Sequence, residues 1–370
     1  MERIAERVAS IAVDPEIRRA RTLPAWVYSD PDVFRFQRER VFLKSWQWVA
    51  DADRVKVPGA VCPVSVLEGC LDEPLVLVRD RDDALHCLSN VCTHRGTLVC
   101  EREGVEHFLR CRYHGRRFAL DGKFLSMPEF DGVQGFPSPA DDLPRVPFGR
   151  LGKLLFASLA PACPFDELVA DLRARCDYLP FDHAVFDATR SREYLVQANW
   201  ALYCDNYLEG FHVPYVHGGL AQAIDYGEYR CELFRWSTLQ LGVVQPGVEC
   251  FAPPPGHTDG DTRVGAYYWW LFPNTMLNLY PWGISLNVVR PLGVDRTRVS
   301  FLSFVWDASK LERGAGAGLD RVEREDEVIV ESVQRGTRSR LYERGRYSPA
   351  RETGVHRFHT LLAEALRDRP

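Results

Sequence analysis

Two short motifs constrain this chain more than anything else in it. Cys92-Thr-His94 and Cys111-Arg-Tyr-His114 each join a thiol to an imidazole, and sixteen residues separate His94 from Cys111. Gly96 and Gly115 stand just behind them, each able to turn a loop tightly. We therefore place each pair on a turn between strands. Two such loops facing each other bring four ligands around one inorganic centre. The set could hold a structural zinc. A mixed Cys/His pattern in both loops suits a 2Fe–2S centre with two thiolates on one iron and two imidazoles on the other, a ligation that raises the reduction potential.

Composition narrows the setting. The chain has 370 residues, room for two or three domains, and an ordinary globular mix of 46% hydrophobic and 26% charged residues. Eleven Cys is an odd number, and the first twenty residues are too charged for a secretory segment. Thiols or metal ligands in the cytoplasm are expected rather than a disulfide framework. Cys87 and Cys100 fall outside the ligand pattern and read as small buried hydrophobes. No apolar run approaches the ~18 residues of a membrane span. A net charge of −5 argues against a nucleic-acid binder.

The texture changes along the chain. Residues 1–45 read as a helical segment, with Ile4, Val8 and Ile11 at helical spacing and a second helix over Pro31–Leu43. Residues 46–160 read as short strands and turns. The hairpins are Leu75–Leu88 and Phe118–Leu125, the second turning at Asp121-Gly122. Residues 161–370 read as an α+β unit. Its strands are predicted near Tyr194–Ala198, Arg230–Val244, Val264–Phe272, Thr275–Val289 and Arg298–Trp306. Its helices are predicted over Trp200–Phe211, Leu319–Arg335 and Val355–Leu366.

The second constellation lies in that last unit. A helix through Trp200–Phe211 would put Asp205, Glu209 and His212 on one face, with Pro214 ending it and His217 in the turn beyond. Two His with one carboxylate form a facial triad that leaves positions open on a non-haem iron. The carboxylate has six candidates on the acidic helix Leu319–Arg335. Asp326 lies on an apolar stripe of Leu319, Val322, Ile329, Val330 and Val333, where a carboxylate is unfavourable unless paired or coordinated. A core ion pair with an Arg is the other use of Asp326. Glu327, flanked by Glu323 and Glu331, is expected on a solvated face, with Glu325 intermediate.

In this order the two constellations resemble the oxygenase (alpha) subunits of the Rieske non-haem iron oxygenases. The resemblance is carried by Cys92-Thr-His94-Arg-Gly96, Cys111-Arg-Tyr-His114-Gly115, Asp205-Asn-Tyr-Leu-Glu209-Gly-Phe-His212 with His217, and Asp326 with Glu331-Ser-Val-Gln334-Arg-Gly336. It covers roughly Trp46 to the C-terminus, and Asp205–Ala221 and Glu331–Arg340 look most like the choline, carnitine and betaine branch. It implies an all-β Rieske domain, its cluster on Cys92, His94, Cys111 and His114, then a START-like helix-grip catalytic domain. It implies mononuclear Fe(II) on His212, His217 and Asp326, with O2 as co-substrate. Asp205, Asn206 and Glu209 are then the catalytic-helix residues. Glu209, three before His212, would bridge the centres, carrying electrons from His114 or His94 to His212. Many ring-hydroxylating members carry Asp there, and plant choline enzymes have one more residue between acid and His. The family also implies a head-to-tail homotrimer in which one subunit's cluster faces its neighbour's iron.

Substrate and electron source are less constrained. Trp270, Phe272, Tyr280 and Trp282 lie on adjacent predicted strands and could form an aromatic cage for a quaternary ammonium, or equally plain core. Trp269 and Trp270 are neighbours, so only one can face inward. The glycines of Gly314-Ala-Gly316-Ala-Gly318 sit in no βαβ unit, so no nucleotide site is expected and electrons must come from a separate NAD(P)H-dependent reductase or ferredoxin. Arg95, Arg110, Arg112, Arg116 and Arg117 around the cluster loops could dock such an acidic partner, or be a solvated face. The leading expectation is hydroxylation or N-demethylation of a small substrate, a quaternary ammonium compound included. The rival enzyme is an aromatic-ring dioxygenase; the non-enzyme rival is an electron-transfer or ligand-binding protein without working iron.

Overall fold

The computed structural model describes residues 2–218 and 224–367. The chain divides into two compact units: residues up to Leu43 group with those from Asp166 onward, and Lys44–Phe165 form the other.

The Lys44–Phe165 unit holds β1 (Gln47–Asp51), β2 (Ala60–Val66), β3 (Glu73–Arg79), β4 (Leu85–Ser89), β5 (Gly104–Val105), β6 (Leu109–Arg110), β7 (Arg117–Phe118), β8 (Phe124–Ser126), β9 (Phe148–Leu151) and β10 (Leu154–Ala157). They form three antiparallel sheets of order β4-β3-β2-β5, β6-β7-β8 and β1-β10-β9. The predicted hairpins are β3/β4 and β7/β8, the latter turning at Gly122 with φ +91°. Val76, Val78, Leu88, Leu109 and Phe118 build the core, and Cys92 and Cys111 sit in it. Cys87 and Cys100 are buried and not ligand-like, and burial pushes the Cys87 thiol up to about 12. All eleven cysteines are free thiols.

The second unit is a meander. β11 (Val185–Val196), β12 (Arg230–Leu233), β13 (Ser237–Val243), β14 (Val264–Leu271), β15 (Thr275–Tyr280), β16 (Gly283–Gly293) and β17 (Arg296–Val305) form one antiparallel sheet of order β11-β17-β16-β15-β14-β13-β12. Two predicted strands are each a pair: Arg230–Val244 breaks between Leu233 and Ser237, and Thr275–Val289 between Tyr280 and Gly283. β15 is buried along its whole length and β14 at every residue but Tyr268, so their apolar runs do not alternate. Residues opposed in register share a face. Gln240, Tyr268 and Asn278 are opposed across β13, β14 and β15.

Three helices flank this sheet: Trp200–Tyr207, Leu319–Thr337 and Thr353–Arg367. The predicted Pro31–Leu43 helix is present as Pro31–Gln37, capped by Asp30, running into a wider turn at Arg38–Phe42. Among the described residues no helix is long and apolar enough to cross a membrane.

The Trp200–Phe211 prediction is corrected. Its helix stops at Tyr207, and a second one, Val213–Val216, starts with Pro214 in its first turn. Proline fits there because its missing N–H is one of the helix's unpaired donors. Glu209 lies in the break, its Oε2 accepting from the backbone N–H of Phe211 and, at 3.1 Å, of His212. Asp205 therefore does not continue a face with Glu209 and His212. Its carboxylate instead takes a hydrogen bond from Tyr28 at 3.0 Å and lies 2.8 Å from Nε2 of His359.

Candidate redox and iron centres

The two cluster loops are built alike. In each, the Cys N–H donates to the carbonyl five residues on (Thr97, Arg116), and the Gly N–H returns to the Cys carbonyl, at 3.0 Å for Gly96 and 3.1 Å for Gly115. Gly96 and Gly115 have φ +74° and +76°, conformations closed to most side chains. The repeated turn brings the His94 and His114 rings to 4.7 Å, edge to face. Cys92 and Cys111 are buried, and Nδ1 of His114 is buried without a hydrogen-bond partner. Burial and then His114 pull the His94 imidazolium down, toward the neutral ring a metal requires. Two buried thiols, two close imidazoles and an unpartnered ring nitrogen fit a 2Fe–2S centre bound through two thiolates and two imidazoles.

One of the five arginines around these loops is misplaced by the sequence reading. Arg116 is 2% exposed; it pairs with Asp141 at 2.5 Å and lies over the Phe124 ring, 5.0 Å from its centroid. It belongs to the interior because an aromatic floor and a carboxylate neutralise it there. Arg95, Arg110, Arg112 and Arg117 are exposed.

In the second unit His212, His217 and Asp326 converge. One ligand atom from each lies within 4.8 Å of the others. Oδ1 of Asp326 is 3.4 Å from Nε2 of His212 and 3.0 Å from Nε2 of His217. The opposite ring nitrogens are held by other carboxylates. Oε1 of Glu209 is 2.7 Å from Nδ1 of His212, and Oε2 of Glu325 is 2.8 Å from Nδ1 of His217. With each Nδ1 engaged by a carboxylate, it is Nε2 of each ring that is left to face the centre, where a metal would take the place of its proton. Burial pulls the His212 imidazolium down, but hydrogen bonds to Asp326 and Glu209 prevail and its pKa rises to about 9. Burial raises the Asp326 carboxyl, and its bonds to His212 and His217 outweigh that and hold it low. Asp326 is only 16% exposed. A partly buried nest of carboxylates around two imidazoles calls for a cation at its centre, and this donor set fits iron with open positions.

The helix bearing Asp326 differs from its sequence reading. Ile329 and Val333 are exposed, and of the predicted apolar stripe only Val330 is buried. Glu327 is not on a solvated face: burial is the main cause that pushes its carboxyl up to about 7. Glu325, expected as intermediate, is the partner of His217.

A cavity of about 770 Å³, counting its open mouth, has this trio in its wall. Asn206 and Glu209 line it, and Asp205 does not. Of the four predicted pocket residues only Tyr280 faces it. Trp270 is covered by Phe358, at 5.3 Å between centroids, and its Nε1 donates to the Pro273 carbonyl. Phe272 packs on Trp236 and Trp270. Trp282 stacks behind Tyr280 at 5.3 Å. The aromatic wall is instead Tyr203, Tyr207, Tyr229, Tyr268 and Tyr280, with Phe301. Gln240 and Asn278 join it from the Tyr268 row of the sheet, a period-2 register signal readable only once strand pairing is known. The glycine run is the loop entering the Asp326 helix. A Cβ on Gly316 would lie 2.3 Å from Nε1 of Trp282, so only glycine lets this loop close on the Tyr280–Trp282 stack.

Residues 45–137 match the Rieske [2Fe-2S] domain family, and residues 181–368 match the ring hydroxylating alpha subunit (catalytic domain) family. Choline monooxygenase, chloroplastic, of Arabidopsis thaliana is 32% identical over 376 residues, covering 96% of this chain and 85% of that protein. The carnitine monooxygenase oxygenase subunit of Escherichia coli (strain K12) is 30% identical over 366 residues, covering 95% of each. Among solved structures, the quaternary ammonium Rieske monooxygenase CntA in complex with L-carnitine superposes with a TM-score of 0.74 at 24% identity, over 96% of this chain and 99% of that one. Naphthalene 1,2-dioxygenase from Rhodococcus sp. bound to indole superposes with 0.71 at 20%, over 94% of each. These two likenesses show the shared fold.

Proposed function

This chain belongs to the Rieske-type ring-hydroxylating oxygenases, as an alpha subunit, and on that premise we propose that it hydroxylates or N-demethylates a small quaternary ammonium compound. Electrons come from a separate reductase or ferredoxin, and O2 is the co-substrate. The observation that carries this reading is a five-tyrosine cavity whose wall includes His212, His217 and Asp326. Aromatic faces attract a quaternary ammonium, which offers no hydrogen to donate. The names of the choline and carnitine relatives support the same substrate class.

Cys92, His94, Cys111 and His114 would hold the Rieske cluster, and His212, His217 and Asp326 the mononuclear iron. When bound, the cluster supplies electrons and the iron activates dioxygen. The protein's own part is positioning. Glu209 and Glu325 keep the Nδ1 protons on His212 and His217, so both rings present Nε2. Tyr207 is locked by its hydroxyl, which donates to Oδ1 of Asn278 at 2.6 Å, so its ring keeps a fixed face to the substrate. Burial raises all five tyrosine phenols above their usual value, so these rings stay uncharged and act through their faces. We assign Glu209 as the link between the two centres across subunits of a homotrimer. A carboxylate has about four acceptor positions, and the bonds to His212 and the backbone leave it capacity for one more donor.

Ring dioxygenation is the second reading, supported by the fold shared with naphthalene dioxygenase. The amides of Gln240 and Asn278 and the carboxylate of Glu323 in the wall make the cavity a poor host for a bare hydrocarbon. The electron-transfer reading has no use for a preserved His212–His217–Asp326 trio. Metal and sulfide analysis of anaerobically purified protein tests the proposal. About three irons and two acid-labile sulfides per chain, with O2 uptake stimulated by a quaternary ammonium compound, are expected. About two irons after reconstitution would favour electron transfer, and zinc without sulfide would end the Rieske assignment.

A further inference from the structure

The cavity wall carries one carboxylate that the mechanism above does not use. Glu323 lies one helical turn before Asp326, so both project to the same side of the Leu319–Thr337 helix. Both line the cavity. The other acids there are committed: Glu209 to His212, and Asp326 to His212 and His217. Glu323 makes no hydrogen bond or ion pair among the described residues. It is half-buried, and burial, then Asp320 and Glu327, push its carboxyl up to about 8.

Apart from the His212–His217–Asp326 centre, the wall offers no counter-charge. Among the described lining residues there is no Lys or Arg, and the tyrosines stay neutral. The five residues 219–223, Gly-Leu-Ala-Gln-Ala, bring no charged side chain either. Arg192 of β11 acts on Glu323 from the other side. It is exposed and lies on a second cleft, lined also by Arg190, Glu312, Asp320 and Glu323 itself. Arg190 there is already paired with Glu312. A ligand in the tyrosine cavity therefore meets Glu323 as a lone acid with no base beside it.

We propose that Glu323 is the specificity-determining residue of this cavity, admitting a cationic amine whose other end is uncharged and rejecting one that also carries a carboxylate. The inference rests on the quaternary-ammonium reading above and deepens it. A cation among the tyrosines supplies the partner that Glu323 lacks and, by favouring the ionised form, brings its raised carboxyl back to the charged state. A carboxylate on the same small molecule would be buried against a like charge with no Lys or Arg to bind it, and such repulsion is how a site discriminates between close analogues. The uncharged end would find the amides of Gln240 and Asn278, where a hydroxyl can hydrogen-bond.

The test uses anaerobic holoenzyme and isothermal titration with three ligands: choline, L-carnitine, and 3,3-dimethylbutan-1-ol, the uncharged isostere of choline. Choline should bind at least tenfold more tightly than L-carnitine. Glu323→Gln should weaken choline at least fivefold and tighten L-carnitine, so that the ratio collapses. Glu323→Asp, which keeps the charge, should keep the order. Mononuclear iron content reports that the unit bearing Glu323 is folded in each variant; if the Gln variant loses it, the wild-type ratio and the Asp variant decide by the same criteria. L-carnitine binding as tightly as choline to the wild type, or a ratio unchanged in Glu323→Gln, would overturn the assignment of Glu323 alone. Equal affinity for choline and its uncharged isostere would overturn the cation reading itself, and this inference with it.

Discussion

Oε2 of Glu325 lies 2.8 Å from Nδ1 of His217, while Asp326, the next residue along the helix, faces Nε2 of the same ring at 3.0 Å. Adjacent carboxylates thus hold one imidazole from both sides. Removing such an outer partner typically costs 10–100-fold in metal affinity. Glu325→Ala should lower mononuclear iron affinity about tenfold or more by that rule, and leave the cluster's visible spectrum unchanged. Iron-binding titration of the protein stripped of mononuclear iron checks it; unchanged affinity would mean that Glu325 is only a surface partner of Arg321, to which it also pairs at 2.9 Å.

His212 offers Nε2 to the centre and Nδ1 to Glu209. His212→Ala should abolish substrate-stimulated O2 uptake while cluster absorption stays at the wild-type level. Turnover retained in this variant would sink the iron assignment.

Arg116 and Asp141 form the buried pair beneath the cluster loops, with the Arg116 carbonyl accepting from Cys111 N–H at 2.8 Å. Arg116→Leu leaves the partly exposed Asp141 without its cation and should cost about 2–3 kcal/mol, at or below the range for breaking a fully buried pair. Burial works against the Asp141 carboxyl, but Ser138 and Arg116 prevail and hold it below the usual carboxylate range. A folded pKa below the unfolded one means that the stabilisation is complete above the unfolded value, about 4, and is lost as pH falls through the folded value. Urea denaturation followed by cluster absorption should show wild type and variant converging on acidification below about pH 4. A pH-independent gap would assign the loss to the aromatic contacts of Arg116 instead.

Gly210 sits against the cavity wall. A Cβ there would lie 2.5 Å from Cε1 of Tyr229 and 2.9 Å from its Cζ. Gly210→Ala must push that ring aside, at a cost of about 1–3 kcal/mol as for other overpacked sites. The expected result is a several-fold rise in KM with iron and cluster content unchanged. Wild-type KM would show that the Tyr229 ring does not contact substrate.

Legibility in the sequence follows the range of the interaction. The cluster loops were readable because each is a local object: a Cys, a His and a turn glycine within five residues, closed by its own backbone bonds. His212 and His217 were readable for the same reason. Asp326 needed a burial argument, and that argument used a stripe in which Ile329 and Val333 prove exposed. Asp326 does lie with His212 and His217, although the pattern used to single it out is partly wrong; the resemblance points to it independently.

What stayed hidden was non-local. Glu325 and Glu327 are neighbours of one charge type on one helix, yet one grips His217 from 108 positions away and the other is pushed up by burial. The Trp200–Phe211 stretch reads as one helix although Gly210 lies near its end; Glu209, bonding the backbone of the next turn, and Pro214, starting the following helix, make it two. Of the expected cage residues Trp270, Phe272, Tyr280 and Trp282, the sheet delivers only Tyr280 to the cavity, adds Tyr268 beside it, and covers the tryptophans with Phe358 and the Tyr280 ring.

By itself, then, the sequence determined the chemistry at each centre, because a metal site is specified by which donors the chain supplies at short spacing. Tertiary structure decided the shape and charge of the space around those donors. Strand pairing selects which face of β14 and β15 a side chain lines, and helix packing selects which acid of a uniform run is buried. Neither is encoded within a few residues, and both depend on partners tens or hundreds of positions away.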